Sequence, residues 1–313
     1  MNSLFFILAV IAVGIMGFAV QRGATCSVAA VDEIVQARKI KRLTAMFEAA
    51  IWVAVGLGVA EHFHVLNHLP GGYEITPWTL IGAVMLGLGA FINGGCVFGG
   101  IAKLGSGKWA YAFMPLGYYL GCLSMPALFD IPVAIPKPSS TSMSFAASLA
   151  LWPLTILLVW RITGLLLDIR SIDPSSAIQW SPHVATIMIG FTFLVSMLLA
   201  GKWAYTEVLA DLAQGMMERS YQRIILALAL FLGCFVGGLT AGRFSSTKPS
   251  LTSVLRCLAG GMMMAWGSLL IPGSNDGLLL IGMPLLWPYA WVAFLVMCGS
   301  IAMAQILKRR FSG

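Results

Sequence analysis

Residues 82–100 read GAVMLGLGAFINGGCVFGG, an apolar run that is dense in glycine and is broken by Asn93-Gly94-Gly95 just before Cys96. A second run of the same kind begins at Gly260, 178 residues after Gly82, and is broken at residues 271–277, IPGSNDG. The pairs of Trp and Tyr are harder to attribute to composition than the glycines, and they indicate a duplication. The identical pairs are Gly82/Gly260, Met85/Met263, Gly89/Gly267, Gly95/Gly273, Gly99/Gly277, Trp109/Trp287, Tyr111/Tyr289, Ala112/Ala290, Gly121/Gly299 and Met125/Met303.

The composition decides the class of protein. Of the 313 residues, 59% are hydrophobic and only 10% are charged. A water-soluble domain carries about a quarter charged residues, so most of the exterior of this protein must face lipid. The net charge of +7 does not indicate nucleic acid, because the basic residues gather in short loops and at the tail, as at 38–42 and 308–310. The composition therefore predicts an all-α polytopic membrane protein with the lipid bilayer as its surroundings.

Apolar runs long enough for a bilayer of about 30 Å recur along the whole chain. They predict about nine transmembrane helices in a single domain, 1–313. With the N-terminus outside, all but four of the 19 Lys and Arg residues fall on the cytoplasmic side, as the positive-inside rule requires. The run from Leu4 to Val20 lacks a basic n-region and a cleavage site, so a retained helix is expected. The predicted spans are 3–20, 43–60, 76–92, 109–127, 145–166, 184–201, 222–241, 251–271 and 283–305.

The third predicted span aligns with the eighth, five spans later, so the two copies are expected to cross the membrane in opposite senses. This predicts an inverted repeat of residues 1–130 and 184–313, with a solute site near the midplane where broken helices meet. Three segments are too short to span: Cys26–Ala37 is predicted as an amphipathic helix, and Val97–Leu104 and Asn275–Ile281 as re-entrant half-helices. N–H groups at the start of such a helix can bind anions. Other glycines are expected to allow close helix packing, namely Gly82, Gly89, Gly260 and Gly267.

The six cysteines, at positions 26, 96, 122, 234, 257 and 298, lie within or beside apolar runs and form no C-x-x-C pair. This pattern indicates neither a disulfide framework nor a zinc site. His62, His64 and His68 match no established metal motif and are expected in solvent. A loop of the G-x-x-x-x-G-K-[ST] type is absent from the sequence, so ATP use by this chain is not expected. We therefore predict no metal and no cofactor.

Four short motifs stand out along the chain. The first is GFAVQRGATC at 17–26, followed by Asp32, and the second runs from Gly94-Gly95-Cys96 to the GSGKW of 105–109. The third is GLTAGRF at 238–244, and the fourth is GSNDG at 273–277. Together they resemble the motifs of the YeeE/YedE family, in the same order as in the family, and the resemblance covers nearly all of the chain.

The resemblance implies a bacterial inner-membrane, multi-pass transporter in which thiosulfate passes between three cysteines along a narrow path. Cys26 and Cys96 match two of these cysteines, but Ser274 stands where the family usually has the third. A hydroxyl donates to an oxyanion better than a thiol does, yet it matches a soft sulfur atom less well, so another sulfur or selenium species is also compatible. The expected path is formed by Cys26, Cys96, Ser274, Gly95, Gly99, Gly273, Asn275, Gly277 and Arg22.

The predicted function is thus uptake of thiosulfate or a related small sulfur-containing anion by a protein that is not an enzyme. A cytoplasmic sulfur-carrier protein or sulfurtransferase is a candidate partner. Two alternatives stay open: a membrane thiol oxidoreductase or sulfurtransferase that uses Cys26 and Cys96 covalently, and a permease subunit for another sulfur or selenium compound. Arg22 either attracts the anion at the cytoplasmic mouth or anchors the first span. Glu48 is expected to be a carboxylate at the interface rather than the carrier of a coupling proton.

Overall fold

The computed structural model describes residues 3–23, 26–63, 71–128, 135–137, 156, 163, 180–216, 220–242, 244–271 and 273–312. Within these residues the only strands are β1 (Gly72–Tyr73) and β2 (Pro136–Lys137), which pair antiparallel. The rest of the regular structure is helical. A 3₁₀ helix lies at Trp109–Ala112, and a π-helix at Leu278–Gly282 directly continues α11. The α-helices with both ends described are α1 (Ser3–Gly23), α2 (Ser27–Ala37), α3 (Lys41–His62), α4 (Pro77–Asn93), α5 (Val97–Gly105), α6 (Phe113–Leu128), α7 (Pro182–Ala200), α8 (Tyr205–Ala213), α9 (Ser220–Thr240), α10 (Leu251–Leu270), α11 (Asn275–Gly277) and α12 (Pro288–Ser312).

Seven helical stretches of the described part are long and apolar enough to cross a membrane. The predicted span 109–127 corresponds to a 3₁₀ turn, Trp109–Ala112, that continues directly into the 16-residue α6; it is not among these seven stretches and stays a prediction. The predicted span 145–166 lies outside the described residues, so a total of nine stays a prediction. The seven stretches are Ser3–Ala37, Lys41–His62, Pro77–Gly105, Pro182–Ala200, Tyr221–Thr240, Leu251–Leu270 and Pro288–Phe311.

Apolar side chains cover the outer faces of these helices. On α1, Leu4, Ile7 and Ile11 are each more than half exposed, and on α9 the same holds for Leu228 and Leu232. A face of this kind is unstable against water and is stable against lipid chains. The seven apolar stretches and these outer faces together make the chain a multi-pass membrane protein.

Helices α4 and α10 pack against each other through glycines. A Cβ on Gly82 would lie 2.7 Å from the carbonyl oxygen of Gly267, and a Cβ on Gly89 would lie 2.8 Å from that of Gly260. Any larger residue would therefore force the two backbones apart. Gly82 near the start of α4 meets Gly267 near the end of α10, whereas Gly89, later in α4, meets Gly260, earlier in α10. The two helices therefore run antiparallel.

The order of the helices recurs along the chain. The first residues of α1 to α5 and of α7 to α11 differ by 179, 178, 179, 174 and 178 residues, respectively. These differences match the offset at which the sequence aligns with itself. In each set the first helix is long, the second is short and the third is long. A fourth, long helix then ends at an interruption, which is followed by a second short helix.

Both interruptions have an extended residue just before the short helix begins. In the first, α4 ends at Asn93, Gly94 takes a left-handed φ of 73°, and Cys96 is extended with φ −68° and ψ −177°. In the second, Gly273 has φ 137° and Ser274 has φ −86° and ψ −179°. Positive φ values of this kind favour glycine, and they turn the chain so that Cys96 and Ser274 each precede the first residue of a helix.

Candidate functional site

Cys26 and Cys96 are buried beside each other at the starts of α2 and α5. The backbone N–H of Cys96 donates to Sγ of Cys26 at 3.3 Å, and the N–H of Ser27 donates to Sγ of Cys96 at 3.4 Å. Both cysteines are free thiols with at most 7% of their surface exposed. Each sulfur therefore lies where the N–H groups of a helix start point, which is a position that a negatively charged or polarisable atom would favour.

Gly99 makes room for the sulfur of Cys26. A Cβ at this position would lie 2.4 Å from Sγ of Cys26 and 3.8 Å from Sγ of Cys96. At the equivalent position of the other copy, a Cβ on Gly277 would have no atom within 4 Å in the part of the chain that the structure describes. The close approach of a glycine to a thiol thus occurs on the cysteine side and not on the serine side.

Ser274 is buried and belongs to a cluster of oxygen atoms. Its hydroxyl lies 2.6 Å from Oγ1 of Thr206 and is within hydrogen-bond distance of the Asp276 carboxylate. Thr206 also donates to the two oxygens of Asp276 at 3.1 and 3.3 Å. Thr206, Ser274 and Asp276 are each at most 5% exposed. We call these three residues the hydroxyl–carboxylate cluster.

Ser27 and Asn275 connect the two cysteines to this cluster. Oγ of Ser27 donates to Oδ1 of Asn275 at 3.0 Å, and both residues are 1% exposed. Nδ2 of Asn275 is buried and has no hydrogen-bond partner among the described residues. Hydrogen bonds therefore link Cys26, Cys96, Ser27 and Asn275, and Asn275 directly follows Ser274 in the chain, so these buried polar groups form one line with an unused donor at its middle.

A cavity of about 630 Å³ opens beside Cys26 and Gly99. Its walls carry six basic side chains against one carboxylate, so an anion is attracted into it. Arg22 is part of this wall, where its Nη2 donates to Thr240 at 2.9 Å and its guanidinium lies 4.9 Å from the ring centre of Phe18. The basic residues are Arg22, Arg42, Lys103, Arg256, Lys308 and Arg309, and the acidic residue is Asp32.

The space beside the hydroxyl–carboxylate cluster is small. It measures about 10 Å³ and is bounded by Asp276, Gly277 and aromatic side chains that include Trp203 and Tyr205. The two ends of the line of polar atoms therefore differ: the cysteine end opens into a wide basic cavity, whereas among the described residues only this small space lies beside the Ser274 end.

The remaining predicted residues have less specific surroundings. Gly273 provides the left-handed turn before Ser274, and Gly95 packs against the backbone of Gly99. Glu48 lies 2.5 Å from Nδ1 of His183 on α7, and both side chains are about one-fifth exposed. This carboxylate is thus engaged by a histidine, away from the cysteines.

Among the described residues, no group of three or more His, Cys, Asp or Glu side chains is arranged to hold a metal ion. Two of the three clustered histidines, His64 and His68, lie outside the described residues. The buried polar atoms of the site are hydroxyl, thiol, amide and carboxylate groups, which suit a small solute better than a cofactor.

Sequence reasoning did not identify Ser27, Thr206 and Asp276. At the repeat offset of 178 residues, Cys26 corresponds to Ala204, which directly precedes α8. Thr206 is the second residue of that helix, so the repeat indicates this region as part of the site. Asp276 is an ionisable side chain inside an otherwise apolar stretch, and such residues in membrane proteins are usually functional. Both signals were present in the sequence.

Comparison with known proteins identifies the family. Residues 22–303, which include Cys26, Cys96, Ser274 and Asn275, match the family model described as sulphur transport. The thiosulfate transporter TsuA of Escherichia coli (strain K12) is 22% identical over 322 aligned residues, which cover 90% of this chain and 89% of that protein. The thiosulfate transporter TsuA of Spirochaeta thermophila is 24% identical over 328 aligned residues, which cover 95% of this chain and 97% of that protein. The chain therefore belongs to the sulphur transport family, YeeE/YedE.

Proposed function

We propose that this protein is a bacterial inner-membrane importer of thiosulfate or a related small sulfur-containing anion. The observation that carries the proposal is the continuous line of buried polar atoms from Ser274 through Asn275 and Ser27 to Cys96 and Cys26. Its second support is the similarity to two proteins that are named thiosulfate transporters.

The line can replace the water that an anion loses on entering the membrane. Dehydrating a divalent anion is costly, so fixed donors must be ready along the path. The N–H groups of Ser27 and Cys96, the amide of Asn275 and the side chains of both cysteines and Ser274 are such donors. We expect the thiols to act while neutral, because a thiolate would repel the ion. Binding at each position must stay weak enough for the ion to leave.

The same proposal includes an inverted repeat around the path. Its supports are the constant offset between the two sets of helices and the antiparallel contact of α4 with α10. The contacts are also reciprocal: Gly82 meets Gly267 and Gly89 meets Gly260, and each pair becomes the other when the repeat offset is applied. A two-fold axis lying in the membrane plane produces this reciprocity. On this proposal α5 and α11 are re-entrant half-helices that meet near the midplane.

The basic cavity is the proposed exit to the cytoplasm. The positive-inside rule favours the side on which its six basic side chains lie as the cytoplasmic one. An ion released from Cys26 enters a cavity whose charge is opposite to its own. A cytoplasmic sulfur-carrier protein or sulfurtransferase would receive the ion at the cytoplasmic opening of this cavity, where Lys308 and Arg309 lie near the end of α12.

Uptake by the purified protein in liposomes tests the proposal. The panel comprises thiosulfate, sulfate, sulfite and selenium oxyanions, and thiosulfate is expected to enter fastest. Cys96→Ala is expected to slow uptake at least about tenfold, since a hydrogen bond to an ion contributes about 1.5–3 kcal/mol and each 1.4 kcal/mol is a factor of ten. Cys298→Ala, on α12 and away from the path, is the matched control and is expected to transport normally.

Two outcomes would contradict the proposal. If no anion of the panel enters liposomes that contain the wild-type protein, the chain is not a self-sufficient importer of this class. If a stable persulfide forms on Cys96 and turns over with substrate, the covalent alternative is correct. Mass spectrometry of the intact protein after exposure to thiosulfate detects the persulfide.

A further inference from the structure

A buried carboxylate lies beside the proposed anion path. Asp276 is 5% exposed and belongs to the hydroxyl–carboxylate cluster, where it accepts hydrogen bonds from Ser274 and Thr206. The proposed path does not use this carboxylate, and a fixed negative charge next to an anion site opposes binding. Its presence at this position therefore requires an explanation.

Among the residues that the structure describes, Asp276 has no counter-ion. The ionisable groups that face it from neighbouring helices are Glu207 and Tyr205 of α8 and Tyr118 of α6. The charge of Glu207 is negative, and its own ion pair is with Lys202, at 3.4 Å. The ion pairs formed within the described residues do not include Asp276. A buried carboxylate without a cation is costly to ionise, and binding a proton removes that cost.

The hydrogen bonds link this proton to the anion. A serine hydroxyl has one hydrogen, and in the structure Ser274 directs it to Oδ1 of Asp276. An ionised Asp276 thus competes with an incoming anion for the only donor of Ser274. When the carboxyl group is protonated it no longer needs that hydrogen, and the hydroxyl is released to donate to the anion. The same protonation removes the charge that would repel the anion.

We propose that Asp276 carries a proton together with each anion, so that uptake is proton-coupled; this rests on the proposed function. A proton from the outer side binds the Asp276 carboxylate and forms an O–H bond. The anion then accepts a hydrogen bond from the Ser274 hydroxyl. After the anion has passed to Cys96 and Cys26, the carboxyl group loses its proton to the cytoplasmic side, and Ser274 donates to it again. Each cycle moves one proton inwards with one anion.

The test uses the full-length protein in liposomes that contain a pH-sensitive dye, with the membrane potential held at zero by potassium and valinomycin. For the wild type, thiosulfate is expected to acidify the interior. A gradient of one pH unit, acid outside, is expected to raise thiosulfate accumulation about tenfold, because one coupled proton transmits the tenfold ratio of proton activity. Thiosulfate uptake without acidification and without a response to the gradient would overturn the proposal. No uptake at all would instead refute the proposed function.

Variants assign the effect to the residue. Asp276→Asn keeps the shape and is always uncharged, so it is expected to transport thiosulfate without acidification and without a response to the gradient. Asp211→Asn is the matched control, since Asp211 lies on α8 in an ion pair with Arg223 and is expected to keep both responses. A coupled Asp276→Asn protein would overturn the proposal. If that variant is inactive, Asp276→Glu restores a titratable group and is expected to be coupled; uptake by it without coupling is the contrary result.

Discussion

Adding one methyl group at Gly99 tests whether the position of the Cys26 sulfur matters. In Gly99→Ala the new Cβ would lie 2.4 Å from Sγ and 3.0 Å from Cβ of Cys26. Carbon contacts are normally about 3.5–4.0 Å long, so the sulfur must move by at least about 1 Å. The bond from the Cys96 N–H, 3.3 Å long in the structure, then breaks or is redirected.

The substitution is expected to spare the fold. Overpacking costs about 1–3 kcal/mol, and Ala is better than Gly inside a helix by about 1 kcal/mol. The net cost is therefore small and confined to the contact between α5 and Cys26. Uptake is expected to fall at least about tenfold, because the displaced thiol of Cys26 no longer donates its hydrogen bond to the ion.

The assay is the initial rate of radiolabelled thiosulfate uptake into liposomes with equal amounts of monodisperse protein. Gly299→Ala on α12 is the control, since a Cβ there has no atom of the described residues within 4 Å, and it is expected to match the wild type. In the Cys26→Ala background, Gly99→Ala should cause a much smaller further loss, because the clashing sulfur is gone and only the 3.0 Å contact with Cβ of residue 26 remains. A Gly99→Ala protein that transports at the wild-type rate would refute the reasoning.

The remaining predictions concern solute choice and charge. Ser274→Cys introduces a soft sulfur donor at the Ser274 end of the line. In competition assays this variant is expected to raise thiosulfate uptake relative to sulfate uptake several-fold. An unchanged ratio would mean that Ser274 does not contact the solute. The basic cavity should make Cys26 react faster with an anionic methanethiosulfonate reagent than with a cationic one when both are applied to the cytoplasmic side. Mass spectrometry measures the two rates, and Arg256→Gln is expected to reduce the difference; equal rates in the wild type would show that the cavity charge has no effect there.

Much of this architecture is readable from the sequence because it depends on local chemistry. Glycines such as Gly94 and Gly273 have no Cβ and therefore take the left-handed turns that end one helix before another begins. The offset between Gly82 and Gly260 predicts which helices correspond. The pairing of Cys26 with Cys96 follows from the resemblance and is seen in the structure as two N–H to sulfur bonds.

The rest depends on contacts between distant parts of the chain. Thr206 and Ser274 are 68 residues apart, and Ser27 and Asn275 are 248 apart, so no local pattern predicts that they touch. The predicted span at 109–127 was placed by hydropathy alone, which does not detect the 3₁₀ turn of Trp109–Ala112. Likewise, the partner of Glu48 is set by the packing of α3 on α7 rather than by its sequence neighbours.

The most direct measurement uses a protein that retains Cys26 and Cys96 as its only thiols. Replacing Cys122, Cys234, Cys257 and Cys298 by alanine is expected to leave the uptake of radiolabelled thiosulfate into liposomes near the wild-type rate. Replacing Cys96 in that background is expected to stop uptake while the protein stays folded and monodisperse. Undiminished uptake after loss of Cys96, or after loss of both remaining cysteines, would contradict a path through the paired thiols.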